Sequence, residues 1–239
     1  MARRCVDLLV AVGALLFAAP LLLTIALAIG LKDGRPILFV QRRAGLGGVS
    51  FRMFKFRTMR PDAERAGGTL TFRADPRITP LGRFLRRSKL DELPQLFNVL
   101  RGDMTLIGPR PEVLDWVAGY TPAQREVFAS KPGLSDPVQL LFRHEQEFLA
   151  SPAEYRGLSA IKVQKQIEYQ RSRTALSDAR VILQTLRALF PSEPAAEELA
   201  IYRALRSAAE TAANANVPPQ HANMDEPRSG GGPFPPASA

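Results

Sequence analysis

The chain has 239 residues, enough for one ordinary domain and a short appendage, and its 46% hydrophobic, 23% charged composition excludes a disordered polymer. Lys and Arg outnumber Asp and Glu by 32 to 23, a formal charge of +9, which points to an anionic partner: nucleic acid, a phosphorylated small molecule or an anionic membrane surface. One cysteine, Cys5, and two histidines, His144 and His221, exclude an internal disulfide framework and a Cys/His zinc site, so a metal here would be oxygen-ligated, which favours Mg²⁺.

From Val6 to Leu31 the sequence is almost wholly apolar, interrupted by Asp7, Pro20 and Thr24. At about 1.5 Å per residue a helix of this length crosses a hydrocarbon core of about 30 Å. A cleaved signal peptide, a simple span and a helix broken at Pro20 that enters and leaves by one face all fit that hydropathy. Pro20 removes a backbone donor and predicts a kink. Arg3 and Arg4 before the stretch and Lys32 and Arg35 after it would hold both ends on the cytoplasmic side, which favours the re-entrant form.

After the turn signal Gly34-Arg35-Pro36, Ile37 to Val40 reads as a short strand. Gly45, Gly47 and Gly48 make a loop, and Phe51 to Met59 reads as the hairpin partner; these glycines lack the spacing of a dinucleotide or phosphate cradle. Pro61 to Arg73 is a polar loop. Arg83 to Arg87 is helical in composition, and Leu93, Leu96, Phe97 and Leu100 recur at helical spacing before Gly102 closes the turn. Pro122 to Ala129 and Leu158 to Thr174 also read as helices. Ser177 to Phe190 is amphipathic, with Val181, Ile182, Leu183, Leu186 and Leu189 on or near its apolar face. Glu197 to Ala212 is an Ala-rich helix, and the Pro, Gly, Asn and Ser beyond it predict a disordered tail. The fold class is α+β and helix-dominated: a re-entrant membrane helix (1–31), a catalytic part (32–190) with a small β-hairpin and amphipathic interfacial helices, a C-terminal helix (191–212) and a tail (213–239).

Three clusters carry candidate chemistry. In Ser88 to Gln95, Asp91 suits an N-cap, Glu92 a first turn and Pro94 a helix start, so a structural role is open. The preceding Arg83, Arg86, Arg87 and Lys89 change the balance, because carboxylates beside guanidinium groups suit a metal-bound phosphate, and a carboxylate can also attack phosphorus. In Gly102 to Glu112, Pro109 and Pro111 stiffen a turn around Arg110 and would leave its guanidinium pre-placed for a diphosphate. In Lys55 to Met59, alternation puts Lys55 and Arg57 on one strand face, which taken alone reads first as an ordinary solvated face.

Val40 to Gly45, Lys55 to Met59, Leu90 to Leu100 and Gly102 to Pro111 together resemble the bacterial sugar transferase family, the monotopic polyprenyl-phosphate phosphoglycosyltransferases, in order and through to about Phe190. The resemblance implies that Asp91 is the nucleophile attacking the β-phosphate of a UDP-sugar, releasing UMP, and that polyprenyl phosphate then takes the phospho-sugar. It implies that Glu92 completes the dyad and, with Asp91, supports Mg²⁺. It implies phosphate-holding roles for Arg86 and Arg110, joined here by Lys55 and Arg57, and it matches Asp178 to a recurrent acid. The expected partners are a UDP-sugar, polyprenyl phosphate and inner-membrane lipids, with no nucleic acid; homodimerisation stays open. The expected location is the bacterial inner membrane, with the catalytic part on its cytoplasmic face.

The sequence departs from the family in places. Ala19 stands where Ser often precedes the kink proline, removing a side-chain hydrogen bond that would support the break. Ser135-Asp136-Pro137 stands where many members have Thr-Gly-Trp, so sugar choice is expected to lie from there through His144 and Glu147. The chain resembles the minimal form, without a multi-helix membrane module ahead of the catalytic part. The rival readings are a membrane-anchored basic protein binding nucleic acid or lipid, for which Phe54 and Phe56 interleave with Lys55 and Arg57, and a non-catalytic scaffold; both leave Asp91, Glu92 and the Pro-Arg-Pro turn without a purpose.

Overall fold

A computed structural model describes residues 2–63, 75–149, 152–188 and 193–215. Most of the predicted loop after Pro61, Leu189 and Phe190 at the end of the amphipathic helix, and the tail from residue 216 lie outside the described residues.

Helix α1 (Ala2–Lys32) is continuous, with Pro20 inside it, so the predicted break is not an interruption of the helix. One turn after the proline, Thr24 Oγ1 donates to the Pro20 carbonyl at 2.8 Å, a back-bond of the kind that bends a helix without ending it. This is a local support the sequence reading missed when it noted the absent serine at position 19. Both arms of α1 dock on the same body. Near its start, Arg4 donates to the carbonyls of Val99 and Leu100 at 2.6 and 2.9 Å, and the Asp7 carboxylate accepts from Thr105 Oγ1 and the Leu106 N–H. Near its end, Ile25 and Ile29 pack with Phe56 and Leu85. Leu9, Leu16, Phe17, Leu23 and Leu31 are more than two-thirds exposed while Ala14 and Leu15 pack on the core, so one side of this apolar helix faces away from the protein along its length.

Strands β1 (Leu38–Ala44) and β2 (Ser50–Phe56) form the antiparallel hairpin, in register from Leu38 opposite Phe56 to Ala44 opposite Ser50. β1 runs four residues past its predicted end. The glycine loop turns through Gly47 and Gly48 at φ of 64° and 77°, backbone that favours glycine. Helix α2 (Pro80–Arg87) starts at Thr79, whose hydroxyl accepts from the Gly82 N–H, with Pro80 at the first helical position. Helix α3 (Gln95–Arg101) ends at Gly102, φ 86°, as predicted.

A second, parallel pair went unread in the sequence: β3 (Thr105–Ile107) beside β4 (Gly133–Ser135). Gly108 and Gly133 let the two chains touch: a Cβ on Gly133 would lie 2.1 Å from Gly108 N. Short helices α4 (Leu114–Ala118), α5 (Pro137–Leu141) and α6 (Glu145–Phe148) were also unpredicted, and Gln124–Ala129 is a 3₁₀ turn rather than an α-helix. Three long helices close the fold: α7 (Pro152–Ser172), α8 (Ala175–Arg187) and α9 (Ala196–Ala215). The α8 apolar stripe divides. Val181 is buried and Ile182 packs against the core, while Leu183 and Leu186 are more than half exposed.

The main core gathers Ala11 of α1, Met53 of β2, Leu96 and Val99 of α3, Met104, Leu106 and Ile107 around β3, and Val181. It fastens the hairpin, α3 and the parallel pair to one another, and the site forms along their common edge.

Candidate active site

The chain leaves α2 through Lys89, a non-glycine residue in left-handed backbone (φ 58°), and enters a 3₁₀ turn over Leu90–Glu92. That turn buries Asp91 and Glu92 to 7% and 9% exposure. Neither caps a helix: Lys89 precedes the turn and Pro94 precedes α3. The structural role open to Asp91 as an N-cap is therefore not the one it has.

The two carboxylates have different surroundings. Glu92 Oε1 accepts from Lys55 Nζ and from Arg110 Nη2, each at 2.9 Å. Burial opposes its charge, but Arg110 and Lys55, backed by Lys89, outweigh that and hold it well below the usual carboxylate range. Asp91 accepts no hydrogen bond among the described residues. Burial, opposed by Lys55 and reinforced by Glu92, pushes its pKa above the usual range. A buried carboxylate is costly to leave unpaired, so this oxygen pair is set against its surroundings unless an electrophile or cation meets it.

Arg110 is held at both ends. Its backbone N–H donates to Asp136 Oδ2 at 2.9 Å, its guanidinium reaches Glu92, and the charge of Glu92 raises its pKa against the cost of burial. Arg86 donates from Nε to Thr58 Oγ1 at 2.8 Å and feels the charge of Asp91; burial lowers its pKa. Burial likewise lowers Lys55. Asp91, Glu92, Lys55, Arg86 and Arg110 thus come together, drawn from β2, α2, the 3₁₀ turn and the Pro-Arg-Pro turn.

Two predicted residues stand elsewhere. Arg57 lies one residue past β2, and its Nη2 donates to the carbonyls of Asp33 and Gly34 at 2.6 and 2.7 Å, fastening the end of α1. Strand alternation missed this because β2 has already ended. Asp178 binds Arg173 and Tyr169 across the junction of α7 and α8, with Arg3 at 3.7 Å. The cavity of about 420 Å³ among Asp33, Arg60, Ile78, Thr79 and Arg83 lies at the start of α2, and neither Asp91 nor Glu92 lines it.

Sequence reasoning assigned no role to several neighbours. Arg43 bonds the Pro111 carbonyl and lies 3.8 Å from Glu112, which accepts from Tyr155 at 2.7 Å. Asp136, 1% exposed, accepts from Arg110, Gln139 and Gln166. Arg43, Glu112 and Asp136 lie within or next to the motifs already singled out; Tyr155 and Gln166 gave no local signal, because only the fold brings α7 to this edge.

Among the described residues no three His, Cys, Asp or Glu side chains cluster as metal ligands. Two adjacent carboxylates, one of them without a hydrogen-bond donor, nonetheless fit Mg²⁺, which takes one or two carboxylates and fills its octahedron with phosphate oxygens and water.

The family model described as "Bacterial sugar transferase" matches residues 1–192. The UDP-glucose:undecaprenyl-phosphate glucose-1-phosphate transferase of Caulobacter vibrioides is 35% identical over 196 residues, 81% of this chain and 71% of the relative. The exopolysaccharide production protein ExoY of Rhizobium meliloti is 34% identical over 204 residues, 79% of this chain and 85% of the relative. The UDP-N-acetylgalactosamine-undecaprenyl-phosphate N-acetylgalactosaminephosphotransferase of Aeromonas hydrophila is 34% identical over 193 residues, 78% of this chain but 43% of the relative, so the chain spans under half of that longer protein. A match that takes in both arms of α1, the hairpin, the carboxylate pair and the Pro-Arg-Pro turn leaves one conclusion: the chain belongs to the bacterial sugar transferase family.

Proposed function

We propose that the protein transfers a sugar 1-phosphate from a UDP-sugar to a polyprenyl phosphate, in two steps through Asp91. In the first, an Asp91 carboxylate oxygen bonds to the β-phosphorus while the bond from that phosphorus to the bridging oxygen breaks, and UMP leaves with that oxygen. In the second, a phosphate oxygen of the lipid bonds to the same phosphorus, the Asp91–phosphorus bond breaks, and the carboxylate returns. The observation that carries this reading is the Asp91 carboxylate, buried, unpaired and set among Lys55, Lys89 and Arg86, with Arg110 on the neighbouring Glu92.

Each neighbour has work in such a reaction. Arg86 and Arg110 meet the charge on the donor phosphates. Glu92 keeps Lys55 and Arg110 in place until an anion arrives. Mg²⁺, held by Asp91 and Glu92 together with the diphosphate, would neutralise charge on the leaving UMP. A covalent relay lets one small site serve a water-soluble donor and a lipid acceptor in turn.

The same reading places α1 in the membrane as a re-entrant helix. Its length and hydropathy suit a bilayer, and both of its ends are bound to one catalytic body. The exposed Leu16 and Phe17 would point into lipid, with the exposed Leu183 and Leu186 of α8 at the interface. Relatives named for undecaprenyl phosphate and for exopolysaccharide production support an inner-membrane role at the start of a surface glycan.

The test is UMP release from a panel of UDP-sugars by purified protein with polyprenyl phosphate and Mg²⁺. Lipid-dependent release with a matching donor is expected, lost on chelation and in Asp91→Asn, whose amide keeps the shape but is a poor nucleophile. Near-normal turnover by that variant would sink the covalent mechanism.

A further inference from the structure

Helix α9 lies beyond residue 192, where the family match ends, yet it is tied to the catalytic part at several points. Glu198, 1% exposed, accepts from the His144 backbone N–H at 3.1 Å, contacts His144 Nδ1 at 3.1 Å and accepts from Tyr202 at 3.0 Å. Tyr202 stacks on Phe148 with ring centroids 5.0 Å apart. A Cβ on Gly157 of α7 would lie 2.6 Å from Leu205 Cδ2, so α9 sits close in a notch left by that glycine.

What α9 grips is the corner that begins α6. His144 precedes the helix, and Glu145 is its first residue. Glu145 Oε2 accepts from Lys162 of α7 at 2.7 Å, whereas its Oε1 accepts no hydrogen bond among the described residues. Lys162 and Gln166 stand one turn apart on one face of α7, and Gln166 reaches Asp136, the residue that holds the Arg110 N–H. The Glu145–Lys162 pair therefore flanks the Arg110 side of the site. Burial opposes the charge on Glu145, but Lys162, with Arg110 beyond it, holds its pKa below the usual carboxylate range. An ionised carboxylate repels phosphate, so this position suits the uncharged, hydroxyl-bearing part of a donor whose phosphates lie on Arg86 and Arg110.

We propose that α9 is a working part of the site: Glu198 is a positioning residue that fixes the His144–Glu145 corner, and Glu145, backed by Lys162, accepts a hydrogen bond from a hydroxyl of the donor sugar. This rests on the transfer reaction proposed above. It gives a carboxylate acceptor to the stretch in which this chain departs from the commonest family sequence, and it extends donor recognition into a helix outside the family match.

The experiment measures donor KM, lipid KM and kcat in the full chain for wild type, Glu145→Gln, Glu198→Gln and the double variant. Each single change is expected to raise donor KM roughly tenfold, the scale of losing one charge-assisted hydrogen bond. Donor KM should rise more than kcat falls, with lipid KM within about twofold of wild type. The double variant should be no worse than the worse single one, because Glu198 acts through Glu145. Leu205→Ala, which loosens α9 without touching Glu198, should shift donor KM in the same direction. Unchanged donor KM in Glu145→Gln overturns the proposal, and so does a parallel loss of all three constants, which would make α9 a brace only. If wild type releases UMP from no UDP-sugar, the transfer reading has failed, and that result is visible before any variant is compared.

Discussion

Glu92 puts two cations on one carboxylate oxygen, and that arrangement governs its pH behaviour. Its pKa in the folded chain lies well below the ordinary value near 4.3, so the stability it contributes is present above that value and is lost as pH falls through the folded one. Glu92→Gln leaves Lys55 and Arg110 facing each other without a counter-charge. The expected loss near neutral pH is about 3 kcal/mol, read from urea denaturation. Between about pH 5 and pH 3 the variant should lose less further stability than wild type, because the group responsible for part of that fall is gone. An identical pH dependence in the two proteins would contradict the assignment. At this scale the sequence was informative where chemistry clusters along the chain. Asp91, Glu92, Arg86 and Arg110 stood out by their company and by resemblance, and they do converge. Arg57 was read as a companion of Lys55 because the second strand was carried to Met59, three residues past its end at Phe56; its guanidinium closes α1 instead.

Among the elements, α2 owes its position to Gly82. A Cβ there would lie 2.0 Å from the Thr58 carbonyl oxygen, on backbone that cannot swing aside. Gly82→Ala is expected to push α2 away from the end of the hairpin, break the Arg86–Thr58 hydrogen bond and lower stability by about 3 kcal/mol, with a fall in kcat beyond what unfolding accounts for. A thermal scan and the UMP assay check both parts. The elements legible in the sequence were those with a long period or a sharp stop: the alternating hairpin, the helix closed by Gly102 and the amphipathic run of α8. The parallel β3–β4 pair was not, since three residues per strand carry no readable alternation and the pairing joins segments whose neighbours are turns. Likewise α4, α5 and α6, at four or five residues each, are shorter than the window over which helical periodicity can be counted.

For the whole molecule, the proposed membrane placement rests on α1. At about 1.5 Å per residue its 31 residues would measure about 46 Å if straight, yet residues at both ends bind one body. In inverted inner-membrane vesicles, a membrane-impermeant maleimide should label the exposed Cys5 and a cysteine at Arg35→Cys from the same side. Labelling from opposite sides would mean a span, and the docking of one arm would then have to be abandoned. The continuous helix through Pro20 was not legible from hydropathy, which describes how apolar a segment is and leaves its path open.

The docking of the first arm also orders events during synthesis. Arg4 and Asp7 find their partners 95 to 99 residues later in the chain. At the ribosome's pace of about 5–20 residues per second, the leading arm waits on the order of 5–20 seconds for Val99 to Leu106 to emerge. During that interval its apolar face has no protein to cover it. On the re-entrant placement proposed above, the bilayer would then be a chaperone as much as a destination: it would store α1 until the hairpin, α3 and β3 have been made, so that the catalytic body assembles against an arm already in place.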